Sequence, residues 1–123
     1  MIFSGNSHYH VSPFLGPEYT HAEIKQTLID NQLNFVEIND EQELCNHTAG
    51  LIADNKIIGW FQGRMEFGPR ALGNRSILAD ARNPKMKEMV NSRIKFREAF
   101  RPFAPSVTAD DASIIFNECQ NSP

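Results

Sequence analysis

The chain has 123 residues, 41% apolar and 22% charged, which suits one globular domain with a core of its own. No apolar run approaches the roughly 18 residues of a membrane span, no basic-then-apolar leader opens the chain, and two widely separated cysteines, Cys45 and Cys119, do not make a disulfide framework, so a reduced, cytoplasmic setting is expected. The net charge of −3 hides an asymmetry: residues 64–101 carry ten of the twelve Lys and Arg but four of the fifteen acids, giving +6 there and −9 elsewhere, which points to a local anionic ligand rather than a uniformly basic nucleic-acid binder.

Residues 1–19 lack periodicity, and Gly5-Asn6, Ser12-Pro13 and Gly16-Pro17 mark turns, so loop with a short extended piece is predicted. His8 and His10 would share one face of a strand and could meet a metal. With no Cys, Asp or further His close by, they read as polar loop residues. Thr20 and Glu23 form a capping box, and Ile24, Leu28 and Ile29 supply the apolar stripe of a helix ending near residues 31–33. Residues 35–38 read as a short strand. Asp40 and Glu43 repeat the helix-start signal, with Leu44, Thr48, Leu51 and Ile52 as the buried face and Cys45 in the core. His21 and His47 read as structural or solvated. Asp54-Asn55 turns the chain into a strand over residues 57–61.

A second strand is predicted over residues 76–79. Pro84 then opens a helix whose face is Met86, Met89, Val90 and Ile94, with a basic tail (Arg93, Lys95, Arg97) that suits the negative end of its dipole. Pro102 and Pro105 force an extended path. A strand over 106–108 and a final helix from Asp110 through Phe116 complete the chain. Alternating strands and helices make the class α/β. The strands are short and few, and no closing element follows, so a piece of a larger domain is expected.

Two stretches carry candidate chemistry. After the first strand, residues 62–76 hold three glycines and three arginines. Glycine permits φ > 0 and close backbone approach, while arginine offers fixed planar donors for phosphate or carboxylate. Gly68 and Gly73 are separated by four residues as in a P-loop, but Asn74 replaces the lysine and Ser76 is displaced, so a standard P-loop is rejected. An anion nest of backbone amides around Gly68 and Gly73, closed by Arg70 and Arg75, is the general mechanism that remains. Glu66 beside these arginines reads as their salt-bridge partner before a general base. The second stretch, residues 95–105, interleaves Phe96, Phe100 and Phe103 with Lys95, Arg97 and Arg101. Such interleaving occurs at single-strand nucleic-acid sites, but nine Phe in a small domain favour the core.

The run from Gly63 to Leu78, with Asn91, Lys95-Phe96-Arg97, residues 100–105 and the upstream residues 15–19, closely resembles the C-terminal region of the nodulation-protein and antibiotic O-carbamoyltransferases. The resemblance implies a two-part enzyme. An N-terminal domain like the ASKHA-fold tRNA-threonylcarbamoylation protein, outside this sequence, would hold iron through histidines and pass the carbamoyl group to a hydroxyl. A C-terminal domain of the YrdC-like type, a twisted open mixed sheet with flanking helices (here truncated), would use carbamoyl phosphate and ATP with Mg²⁺ to make carbamoyl adenylate. By motif position, Arg70, Lys95 and Arg101 would grip carbamoyl phosphate and nucleotide phosphates, with Arg64, Asn74, Arg75 and Ser76 behind them. The partners so implied are carbamoyl phosphate, ATP, the N-terminal domain and a second copy of the chain, with no membrane. The alternative is an RNA- or nucleotide-binding module with a basic groove and no catalysis.

Overall fold

The computed structural model describes residues 12–117, so His8, His10 and Cys119 lie outside the described part. Among the described residues the chain is mixed α/β, with four α-helices and one two-stranded sheet. It divides into two compact units, residues 12–36 with 60–76 and residues 37–59 with 77–117. Among the described residues no helix is long and apolar enough to cross a membrane.

The first helix, α1 (His21–Asp30), starts at the capping box. The Thr20 hydroxyl accepts from the Glu23 N–H (3.3 Å), and the Glu23 carboxylate accepts from the Thr20 N–H (2.7 Å). Its apolar stripe is only half covered, and Ile29 is exposed. The stretch over residues 35–38 is extended but forms no strand. A strand needs a ladder with a neighbouring backbone, and the sheet of the described residues consists of β1 and β2 alone; Val36 is 86% exposed.

Strand β1 (Ile58–Phe61) pairs with β2 (Arg75–Leu78). The Gln62 N–H, just past the end of β1, donates to the Asn74 carbonyl just before β2 (3.0 Å), so the end of one strand meets the start of the other and the pair is antiparallel. The connection is the glycine- and arginine-rich stretch.

In the second unit, α2 (Glu41–Ala53) is capped by Asp40, whose carboxylate accepts from the Glu43 N–H (2.7 Å). Burial on this helix is confined to its C-terminal half, at Thr48, Leu51 and Ile52. Cys45, expected in the core, sits in the uncovered first turns and is an exposed free thiol. Asn83 shapes the next entry: its side-chain oxygen accepts from Lys85 N–H (2.9 Å) and its carbonyl from Met86 N–H (3.0 Å). Then follow α3 (Met86–Val90) and one π-helical turn, Asn91–Lys95, where a single α-helix was predicted. Met86 and Val90 are the fully buried apolar residues of the described chain. The wider turn shifts the register, so Ile94 leaves the stripe (41% exposed) and Asn91 turns inward (0% exposed). Residues 106–108 form no strand, again for want of a neighbour, and α4 (Ala109–Ile115) starts from Thr108 as N-cap. A largely apolar cleft of about 590 Å³ lies within this unit, walled by residues 77–81, α3 and the Pro102–Ser106 segment.

Candidate anion-binding loops

The loop between β1 and β2 turns on three glycines with positive φ: Gly63 (47°), Gly68 (145°) and Gly73 (113°). A second segment, around Gly16-Pro17, lies against it. Gly16 N–H donates to the Met65 carbonyl (2.8 Å), Met65 N–H to the Pro17 carbonyl (3.0 Å) and Phe67 N–H to the Pro13 carbonyl (2.7 Å). Gly16 must be glycine, since a Cβ would stand 2.8 Å from both Cβ and O of Met65. The Asn74 amide ties the ends of the loop. It donates to the Arg64 carbonyl (2.7 Å) and accepts from the Gln62 amide (3.2 Å). The Ser76 hydroxyl accepts from Gly73 N–H (3.1 Å).

Backbone amides do converge in this loop, those of Leu72, Asn74 and Arg75 rather than those of Gly68 and Gly73, and the chain fills their focus with its own carboxylate. Glu66 Oε1 accepts from Leu72 N–H (2.8 Å), Asn74 N–H (2.7 Å) and Arg75 N–H (3.2 Å). Glu66 is 9% exposed. Burial, the largest single influence, pushes its carboxyl up; the amides of Leu72, Glu66 itself, Asn74 and Arg75 together outweigh it and hold it at about 2. The acceptors of Glu66 are thus engaged by backbone amides rather than by the arginine side chains expected. A fixed anion at this point orders the loop and leaves an external anion to the side chains around it.

Those side chains divide sharply. Arg75 donates to the carbonyls of Gln62 (2.6 Å), Asn74 (2.9 Å), Gly63 (3.1 Å) and Pro17 (3.4 Å), and stacks 3.5 Å above the Phe61 ring. Four of its five N–H groups are engaged in holding backbone. Arg64 donates to the Gly16 (3.1 Å) and Leu15 (3.4 Å) carbonyls. Arg70 is exposed and has no hydrogen-bond or ion-pair partner among the described residues. Of the four residues placed behind the principal cations, Arg64, Asn74, Arg75 and Ser76, all brace the loop; Arg70 is the cation it presents.

The second loop is likewise wrapped around one polar side chain. The Asn91 amide donates to the carbonyls of Arg101 (3.1 Å) and Ala99 (3.3 Å) and accepts from Arg97 Nε (2.8 Å). Its backbone carbonyl accepts from both Phe96 and Arg97 N–H, closing the π turn. That closure holds Phe96 in the left-handed region (φ 48°, ψ 49°), costly for a bulky residue. Arg97 stacks 4.8 Å from the Phe103 ring centroid. Lys95 is exposed without a partner among the described residues. Arg101 pairs with Glu98 (3.0 Å), both half exposed, an ion pair weak enough to yield to a ligand. The phenylalanines depart from expectation: Phe96 is 83% and Phe100 75% exposed, because little apolar surface folds against this loop.

Arg70 belongs to the first unit, Lys95 and Arg101 to the second. The organising roles of Glu66 and Asn91 were not read from sequence. For Glu66 the available signal was a lone acid within the glycine- and arginine-rich run 62–76.

A family described as carbamoyltransferase C-terminus matches residues 49–123. An uncharacterized protein of Synechocystis sp. is 46% identical over 111 residues, 89% of this chain and 18% of that protein. The nodulation protein NolO of Bradyrhizobium diazoefficiens is 41% identical over 103 residues, 84% of this chain and 19% of NolO. The nodulation protein NolNO of Sinorhizobium fredii is 53% identical over 81 residues, 66% of this chain and 12% of NolNO. The chain thus spans less than a fifth of the length of each of these relatives.

Proposed function

Because this chain belongs to the carbamoyltransferase C-terminus family, we propose that it is part of an O-carbamoyltransferase and supplies cations that grip carbamoyl phosphate and ATP while carbamoyl adenylate forms. The observation that carries this reading is the state of Arg70. It projects from a loop in which Glu66 takes the amides of Leu72, Asn74 and Arg75, and it has no hydrogen-bond or ion-pair partner among the described residues. A guanidinium so presented fits a phosphate oxygen pair. On the second loop, Lys95, also uncommitted, and Arg101, held by one weak ion pair, are the cations we propose for the same role.

In this reaction carbamoyl phosphate loses inorganic phosphate to water. A carbamate oxygen then bonds to the α-phosphorus of ATP as the bond to pyrophosphate breaks. Several negative charges gather at one centre, so the protein's contribution is positioning and fixed positive charge. Arg70, Lys95 and Arg101 provide that charge, and Mg²⁺ arriving with the nucleotide neutralises the rest. The complete domain is a YrdC-like sheet to which β1 and β2 contribute. The acceptor hydroxyl and the iron belong to the N-terminal domain of the same protein. Among the described residues no group of three His, Cys, Asp or Glu could hold a metal ion. The isolated chain is expected to be inactive in the whole reaction. Its exposed apolar residues suit association with that domain or with a second copy.

The test uses the full-length protein carrying this segment. Replacing Arg70, Lys95 or Arg101 by Ala should lower carbamoyl-phosphate-dependent pyrophosphate release from ATP on the order of 10²-fold each. Unchanged release from natively folded variants would leave these cations a scaffolding role. A second reading, RNA binding, is favoured by the exposed Phe96 and Phe100 among Lys95, Arg97 and Arg101. It predicts RNA affinity that falls steeply with salt and is lost on replacing both phenylalanines.

A further inference from the structure

The backbone that carries Arg70 is held at two points. Residues 68–71 make no hydrogen bond of their own among the described residues. The span is closed at one end by Phe67 N–H on the Pro13 carbonyl (2.7 Å). At the other end, Leu72 N–H meets Glu66 Oε1 (2.8 Å). Gly68, at φ 145°, makes the reversal between them. Glu66 and Arg70 are four residues apart, yet the carboxylate reaches past Arg70 to bind Leu72, Asn74 and Arg75, so it clamps the far side of the span.

We propose that Glu66 is a positioning residue for the anion site: by clamping the far end of residues 68–71 it fixes where the Arg70 guanidinium is delivered. The inference rests on Arg70 gripping carbamoyl phosphate, as above. Glu66 touches no substrate in this account. Three backbone amides converge on one of its oxygens, Oε1, which suits it to hold the loop. The chain thereby carries its own anion to organise a loop that must meet a second one. Without that carboxylate, three amides would point at whatever anion arrived, and Arg70 would lose its fixed distance from it.

The experiment is a double-mutant cycle in the full-length protein, with KM for carbamoyl phosphate and kcat for pyrophosphate release as readouts. The variants are Glu66→Leu, Glu66→Gln, Arg70→Ala and the two double variants. Glu66→Leu removes the acceptor and should raise KM on the order of tenfold or more, because a small misplacement of a binding group is costly. Glu66→Gln keeps one carbonyl acceptor and should fall between Glu66→Leu and wild type. Neither should worsen a protein already lacking Arg70. If Glu66→Leu does not fold, Glu66→Gln carries the cycle. Effects that multiply with Arg70→Ala, or wild-type KM in both Glu66 variants, would overturn the proposal. A wild-type KM in Arg70→Ala alone overturns instead the reading of Arg70 on which it stands.

Discussion

Replacing Asn91 by alanine should release the second basic loop from the helix that carries it. The side chain is fully buried and makes three hydrogen bonds, to the carbonyls of Ala99 and Arg101 and from Arg97 Nε. A typical hydrogen bond contributes about 1 kcal/mol net, and the carbonyls on this exposed loop can be partly rehydrated, so a local loss of about 2–3 kcal/mol is expected. That corresponds to roughly 30- to 150-fold faster amide exchange in residues 96–103. Hydrogen–deuterium exchange read on peptides covering this stretch measures it directly, without requiring the whole chain to unfold. Asn91→Asp sharpens the test. It keeps the acceptor for Arg97 but turns a carboxylate oxygen toward two carbonyls in a buried site. Burial and those carbonyls push the pKa of the new carboxyl above its unfolded value near ~3.9 while the Arg97 guanidinium pulls it down, and the first two are expected to win because the side chain is fully buried. The charged form therefore carries the penalty, which is largest above the folded pKa and shrinks as pH falls through it. The exchange ratio of variant to wild type should drop from pH 7 to pH 5. Wild-type exchange in Asn91→Ala, or a ratio for Asn91→Asp that grows with acid, would refute the assigned role of the amide.

Gly16→Ala should uncouple the segment around Pro17 from the β1–β2 loop, since the added Cβ would lie 2.8 Å from Met65 Cβ and O. A cost of about 1–3 kcal/mol is expected, read as lost exchange protection of the Gly16 and Met65 amides. Glu66, depressed to about 2 in the folded chain, contributes stability in full above its unfolded value near ~4.3 and loses it as pH falls through about 2. A carboxyl-carbon NMR titration should place its midpoint near 2, well below that of exposed glutamates; a midpoint at the ordinary value would show that the three amides do not hold it. Asp80, brought to about 2 chiefly by the Arg82 side chain and then by the Arg82 amide, should behave likewise. Replacing Arg82 by Ala should return the Asp80 midpoint toward the ordinary aspartate range.

Local chemistry was legible in the sequence. The capping box at Thr20 and Glu23, the Asp40 cap, the two strands flanking a glycine-rich loop and the helix entry at Pro84 follow from neighbours within a few residues, and each formed close to where expected. The run from Gly63 to Leu78 with the Phe100–Pro105 segment was enough to point to the carbamoyltransferase family. What depends on distant partners was decided by tertiary structure. Residues 35–38 and 106–108 have strand-like composition, but a strand exists only where another backbone takes its amides. Phe96 and Phe100 are apolar enough for a core, yet burial needs an opposing surface that this loop does not have. The same holds for the arginines. Composition identifies Arg64, Arg70 and Arg75 as equivalent donors, and only the placement of Pro17, Gly63 and Phe61 makes Arg75 a brace and leaves Arg70 outward. A focus of backbone amides in this loop was foreseeable from its glycines, but not that Leu72, Asn74 and Arg75 would form it. That Glu66 fills it follows from the fold of the loop, which brings a carboxylate to amides six to nine residues away.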